Sequence, residues 1–283
     1  ALAFPAILLY NVPSFSAVFR RVYEVDHMLL AIDIGNTNIV IGGIRNGQIV
    51  FEARIATDPI KTSDQYAAEI NSILTLFHAD LDEIGDAIIS SVVPPVFNSV
   101  RTGIMKLTHR EPMVVGPGIR TGLNIQMDDP ASVGSDLIVA AVAAIQEYEP
   151  PLILIDMGTA TTVCAIGRGN TYLGGVVIPG VRVSAESLTN NTALLPGIQL
   201  DRPKQAICKN TVDAIRAGVM FSAADALDGM IRRFEAELGE PATVIATGGI
   251  SQFVVPLCQR EMIQDRDLLL KGMDYLYHKN RKH

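Results

Sequence analysis

Asp33 in DIGNTN and Asp156 in DMGTAT each close an apolar run, MLLAI before the first and LILI before the second. Each is followed by a glycine and then a threonine: Gly35 and Thr37 in one case, Gly158 and Thr159 in the other. A strand that ends in Asp and a tight Gly turn gathers a carboxylate and several backbone N–H groups at one spot, as a phosphate site requires. Taken singly, either turn is equally an Asx-type turn closing a hairpin. Two copies in one chain point to a nucleotide held between them, with Asp33 holding Mg²⁺ through water, Asp156 holding a cation and Thr159 donating to phosphate.

Two further groups bear on chemistry. Gly248 and Gly249, in ATGGIS, follow the apolar run TVIAT, and such a pair lets a nucleoside lie against backbone or simply makes a strand-to-helix packing turn. Asp136, in VGSD, opens an alanine-rich apolar segment. It reads either as an acid at a helix N-terminus or as a general base, since phosphoryl transfer to an alcohol needs a group that accepts the hydroxyl proton. No histidine in the sequence competes for that role.

The elements that must position these residues follow from periodicity. MLLAID, IVIGGI and GQIVFEARIA read as three strands in an antiparallel meander, turning at Gly35 and at Asn46-Gly47. Ser63 to Phe77 has helical spacing with Thr62 or Ser63 as cap, DAIISSVVP is a buried strand ended by Pro94-Pro95, and PMVVG is another strand. After the polar stretch TGLNIQMDDP the order recurs. Gly134 to Tyr148 is a helix, LILID a strand, and TTVCAIGRGNTYLGGVVIPG two more. Helices are expected over Val181–Leu188, Thr211–Leu238 and Ser251–Arg260, with TVIAT as a buried strand between the last two. The strand-rich opening and later helix–strand alternation of each half predict an α/β protein of two duplicated domains, 28–122 and 123–283, each a mixed sheet flanked by helices.

The 283 residues suffice for two such domains, and 48% hydrophobic against 19% charged residues predicts a well-packed soluble protein. A net charge of −7 without a basic stripe argues against nucleic acid. The cysteines Cys164, Cys208 and Cys258 are far apart and read as free thiols of a reducing, cytoplasmic compartment. The five histidines are scattered, so no zinc site is expected. Residues 1–27 are apolar but interrupted by Pro5 and Pro13, too short to span a bilayer and without the charged leader of a secretory signal. They are expected to lie upstream of the natural start, Met28, and outside the core.

Eight segments in order carry a resemblance: DIGNTNIV, KTSDQYA, ISSVVPP, GSD, DMGTATT, GGVVIPG, NT at Asn210 and TGG from Thr247. From Met28 to about Gly272 the chain resembles type III pantothenate kinases, within the actin-like, ribonuclease-H-like phosphotransferase superfamily. The resemblance implies two ribonuclease-H-like domains and ATP-dependent phosphorylation of pantothenate to 4′-phosphopantothenate, the opening step of coenzyme A synthesis. It further implies a cytoplasmic homodimer that needs Mg²⁺ and K⁺ or NH₄⁺. Asp33, Ile34, Gly35, Asn36, Thr37, Asn38, Ile39 and Val40 then correspond to the ATP-phosphate loop, Thr159 to a further ATP contact, and Asp156 to the monovalent-cation ligand. Asp136 corresponds to the catalytic base, Gly134, Ser135, Asp136 and Leu137 to the substrate loop, and Thr211 to a pantothenate contact reaching the neighbouring subunit's site.

Two positions depart from the family pattern. Leu137 stands where the family has Arg, so a guanidinium is replaced by a side chain that donates no hydrogen bond. Met127 stands where an aromatic residue precedes the Asp128-x-Pro130 element. These departures keep open a kinase of the same fold acting on another small alcohol. A nucleotide-binding regulatory paralogue without turnover is the reading from a different class.

Overall fold

The computed structural model describes residues 27–191 and 195–281, so the expectation for residues 1–27 falls outside it except at His27. Two mixed sheets form the frame. The first contains β1 (Met28–Ile34), β2 (Asn38–Arg45), β3 (Gln48–Ala56), β4 (Ile84–Ser91) and β5 (Met113–Val114), in the order β3-β2-β1-β4-β5. The second contains β6 (Asn124–Ile125), β7 (Leu152–Met157), β8 (Ala160–Gly167), β9 (Thr171–Pro179), β10 (Thr243–Thr247) and β11 (Ile263–Gln264), in the order β11-β10-β7-β8-β9-β6. With β6 set aside, β7 to β11 repeat β1 to β5 in order and in every parallel or antiparallel pairing. The duplicated α/β frame expected from the sequence is therefore present.

The helices are α1 (Ser63–Leu76), α2 (Pro94–Thr108), α3 (Ser135–Glu147), α4 (Val181–Asn190), α5 (Thr211–Leu238), α6 (Ser251–Val254) and α7 (Leu268–Asn280). Local chemistry explains most boundaries. Thr62 and Gln65 form a reciprocal capping box at the start of α1, and Asn210 caps α5 by accepting from the Asp213 N–H. Gly239, at φ 76°, ends α5 in the left-handed conformation that suits glycine. Pro94 and Pro95 do more than end a strand: they occupy the first turn of α2, where a missing N–H costs nothing. The helix expected over Ser251–Arg260 is shorter. α6 stops at Val254 and passes into a 3₁₀ turn that contains Pro256, leaving Cys258 extended.

Strand alternation assigns the two faces of each sheet. On β1, Met28, Leu30, Ile32 and Ile34 pack with α1 and α2, while Leu29 and Ala31 pack with α3 and α7. On β7, Ile153, Ile155 and Met157 pack with α4 and α5, while Leu152 and Leu154 pack with α3. Helix α3 touches both sheets: Ile138, Val139 and Val142 join the first inner core, and Ala140, Ala141, Ala143 and Ala144 the second. Alanines allow this close double packing, as does Gly272 on α7, where a methyl group would lie 2.0 Å from the Val139 carbonyl. The final helix, α7, had no counterpart in the sequence reading, and it contributes Leu270, Met273 and Leu276 to the first inner core.

Candidate active site

Alternation also settles where the aspartates point. Asp33 continues Leu29 and Ala31 on the inner face of the first sheet, and Asp156 continues Leu152 and Leu154 on the inner face of the second. Both therefore face the layer that contains α3, and Asp136 lies in the first turn of α3. Three carboxylates that are far apart in sequence share one field. Burial, then the Asp136 and Asp156 charges, push the Asp33 carboxyl up to about 7 against the opposing influence of the neighbouring Ser90 hydroxyl. Burial and Asp136 push Asp156 up to about 6, and Arg54 acts in the opposite direction. Burial raises Asp136 as well, opposed by backbone N–H groups of Leu137 and Asp136. The Leu137 N–H donates to Asp136 Oδ1 at 2.8 Å.

The two glycine turns are similar but not identical. The Gly35 N–H donates to the Asn38 carbonyl at 3.0 Å, and the Gly158 N–H to the Ala160 carbonyl at 3.0 Å, so the second turn is a residue shorter. Asn36, Thr37 and Asn38 are exposed at the first tip, and Gly158 and Thr159 at the second, while Ile34 and Ile39 anchor the first loop in the core. Val40 faces the inner core. Thr57 fastens the first turn from β3's end, donating its hydroxyl to the Gly35 carbonyl at 2.6 Å and its N–H to the Thr37 carbonyl at 3.0 Å. The tips meet, with Thr37 Oγ1 2.7 Å from Thr159 Oγ1.

Glycine is required around the second turn by proximity. A methyl group at Gly180 would lie 2.1 Å from the Thr159 carbonyl, and one at Gly248 (φ 86°) would lie 2.7 Å from Asp156 Oδ1. Gly248 thus sits against the Asp156 turn, with Gly249 next to it in the chain. Beyond them Ile250 and Phe253 join Arg182, Glu186, Ile198 and Leu200 around a cavity of about 380 Å³.

The other expected site residues are distributed unevenly. Gly134 caps α3 beside Asp136, and a methyl group there would lie 2.5 Å from Asp136 Oδ1. The Ser135 hydroxyl turns toward β4, donating to the Ser91 carbonyl at 2.9 Å and accepting from the Ser91 N–H and the Ser90 hydroxyl, each at 3.1 Å. Met127 packs over Gly174 (φ 111°), where a methyl group would lie 3.1 Å from its sulfur, and joins the second inner core, while Leu137 is half-buried in the first turn of α3. Thr211 is exposed at the first residue of α5.

Three contributors had no role assigned from the sequence: Ser90 and Thr162, which lie within ISSVVPP and DMGTATT, and Arg54. Strand register, absent from local motifs, brings them in. Ser90, Asp33, Val40 and Arg54 stand opposite one another across β4, β1, β2 and β3. Thr162 stands opposite Asp156, its hydroxyl buried without a hydrogen-bond partner. An unsatisfied buried oxygen beside a carboxylate that burial deprives of water is a hard-donor pair that suits a cation. Among the described residues no three carboxylate, histidine or cysteine side chains are grouped closely enough to hold a metal ion unaided. Phosphate or water oxygens must complete any coordination.

Comparison with known proteins identifies the family. The family model for type III pantothenate kinases matches residues 29–233. A type III pantothenate kinase of Halalkalibacterium halodurans is 40% identical over 253 residues, covering 89% of this chain and all of the relative. One of Exiguobacterium sibiricum is 41% identical over 254 residues, covering 90% and all of the relative. Among solved structures, a conserved protein described as a Baf family transcriptional activator from Campylobacter jejuni superposes with a TM-score of 0.56 at 19% identity, covering 89% of this chain and 98% of its own. Component A of the Acidaminococcus fermentans (R)-2-hydroxyglutaryl-CoA dehydratase gives 0.52 at 16% identity, covering 87% and 95%, and at such identities the likeness concerns the fold. The chain belongs to the type III pantothenate kinase family, enzymes that phosphorylate pantothenate toward coenzyme A.

Proposed function

We propose that this chain transfers the γ-phosphoryl group of ATP to the hydroxyl of pantothenate, with Asp136 as the base that accepts the hydroxyl proton. The observation that supports this most is the meeting of Asp33, Asp136 and Asp156 on the inner faces, beside two turns that offer N–H and hydroxyl donors. A carboxylate whose pKa is raised by burial, held at a helix start by a backbone hydrogen bond, is a better proton acceptor than an ordinary one. Asp33 is assigned to Mg²⁺ through water, and Asp156, with the unpartnered Thr162 hydroxyl, to K⁺ or NH₄⁺. These cations supply charge neutralisation for the triphosphate when bound.

Thr37, Thr159 and the N–H groups of the Asp33–Val40 loop bind phosphate in this reading, and the cavity beyond Gly248 and Gly249 takes the nucleoside. The substrate lies toward Gly134, Asp136, Leu137 and Met127. Thr211 serves the site of a second copy in a cytoplasmic homodimer, a reading supported by its exposure beside Ile207 (87% exposed) and Val212 (37%) on the outside of the second half. Among the described residues no helix is long and apolar enough to cross a membrane. The test is ADP release in the presence of pantothenate with and without K⁺: potassium-dependent release supports the reading, and none at any salt concentration removes it.

A further inference from the structure

Arg54 lies in the same cross-strand row as Asp33, two strands away, and on the same inner face. Phe51, Ala53 and Ile55 point to the opposite face, into the core with α1 and α2, so alternation directs Glu52 and Arg54 toward the cleft. Glu52 Oε1 accepts from Arg54 Nε at 3.0 Å and from Nη2 at 2.7 Å. That clamps one edge of the guanidinium and leaves Nη1 turned toward the second sheet, where a methyl group on Gly249 would lie 3.2 Å from it. A side chain rooted in the first sheet thus reaches Gly249, in the turn that follows β10 of the second, and acts on Asp156. It stays 41% exposed, so its free edge is open to a ligand.

An exposed Arg–Glu pair contributes little to stability, so stability alone does not account for this orientation. Charge does. Three carboxylates share this region, Arg54 is the cation among the described residues that acts on any of them, and a bound triphosphate adds further negative charge. A guanidinium with a free N–H edge is the side chain best suited to phosphate oxygens.

We propose that Arg54 is a phosphate-binding residue of this kinase, its Nη1 donating to a triphosphate oxygen on the Gly248–Gly249 side. The inference rests on the kinase reading above. In the transfer step, the substrate oxygen bonds to the γ-phosphorus as the bond from that phosphorus to the β,γ-bridging oxygen breaks. The hydroxyl proton goes to Asp136, and the electron pair leaves with ADP. Arg54 offsets the charge gathering on that leaving diphosphate.

The experiment compares wild type, Arg54→Gln and Arg54→Lys in steady-state kinetics and in direct ADP binding. Arg54→Gln is expected to raise the ATP KM about tenfold or more and to lower kcat, with the pantothenate KM within about twofold of wild type. Arg54→Lys, which keeps the charge but loses the fork, is expected to fall between them, and it decides the matter if Arg54→Gln does not fold. An ATP KM, kcat and ADP affinity all within about twofold of wild type in the folded variant overturn the proposal. If the wild type makes no phosphopantothenate, the kinase reading fails by itself, while ADP binding still reports on Arg54.

Discussion

Thr37 Oγ1 and Thr159 Oγ1, 122 residues apart in the chain, lie 2.7 Å apart and join the two glycine turns at their tips. One of the two hydroxyls donates to the other, and in the proposed site that donor turns to a phosphate instead. An exposed neutral hydrogen bond contributes about 0.5–1.5 kcal/mol, so a nucleotide exchanges it at small cost.

Thr159→Val removes that donor while nearly preserving shape. The ATP KM is expected to rise roughly tenfold, as loss of one phosphate hydrogen bond implies. The melting midpoint should shift by no more than about 4 °C. An unchanged ATP KM removes Thr159 from the phosphate contacts.

Asp33 links function to stability. Its carboxyl holds its proton to about pH 7 in the folded chain, whereas the ordinary value is 3.8, so the folded state binds more protons between those values. Stability of the ligand-free protein therefore falls as pH rises through that window and levels off above it. Asp33→Asn is expected to raise stability at pH 8 by a few kcal/mol at most, with the gain vanishing toward pH 4, while ATP turnover is lost. Thermal melts from pH 4 to pH 8 measure it, and a variant no more stable than wild type at pH 8 contradicts it.

Ser135 distinguishes positioning from contact. Its hydroxyl is engaged by Ser90 and by both backbone groups of Ser91, which ties the start of α3, and so Asp136, to the end of β4. Ser135→Ala should cost about 1–3 kcal/mol by leaving those groups short of a partner. It should lower kcat more than it raises the pantothenate KM. A raised pantothenate KM with kcat intact would instead make Ser135 a substrate contact.

Leu137 follows Asp136 in the first turn of α3, half-buried. Leu137→Arg restores a guanidinium where the family pattern has one, and the pantothenate KM should fall about tenfold, the worth of one charge-assisted hydrogen bond. Steady-state kinetics with pantothenate varied at saturating ATP tests this, and an unchanged or higher KM shows that this chain does not use the contact.

Features encoded locally were legible in the sequence. The Asp-Gly turns, the Thr62 cap and the 28 residues of α5 follow from neighbours a few positions apart, and all three match the structure. What depended on register was not. Arg54 and Ser90 join Asp33 only because β3, β2, β1 and β4 align them, and α7 joins the first sheet across more than two hundred intervening residues. The longer helix expected after Ser251 failed for a local reason, since Pro256 interrupts the hydrogen-bond ladder.

In the proposed transfer, Asp136 takes the proton of the acceptor hydroxyl. That role is tested most directly by comparing wild type and Asp136→Asn for ADP release with pantothenate, at saturating ATP, Mg²⁺ and K⁺, alongside ADP binding. Asp136→Asn is expected to lose about 10²-fold or more in kcat with ADP affinity retained, as for removal of a general base. Full activity in Asp136→Asn would contradict it.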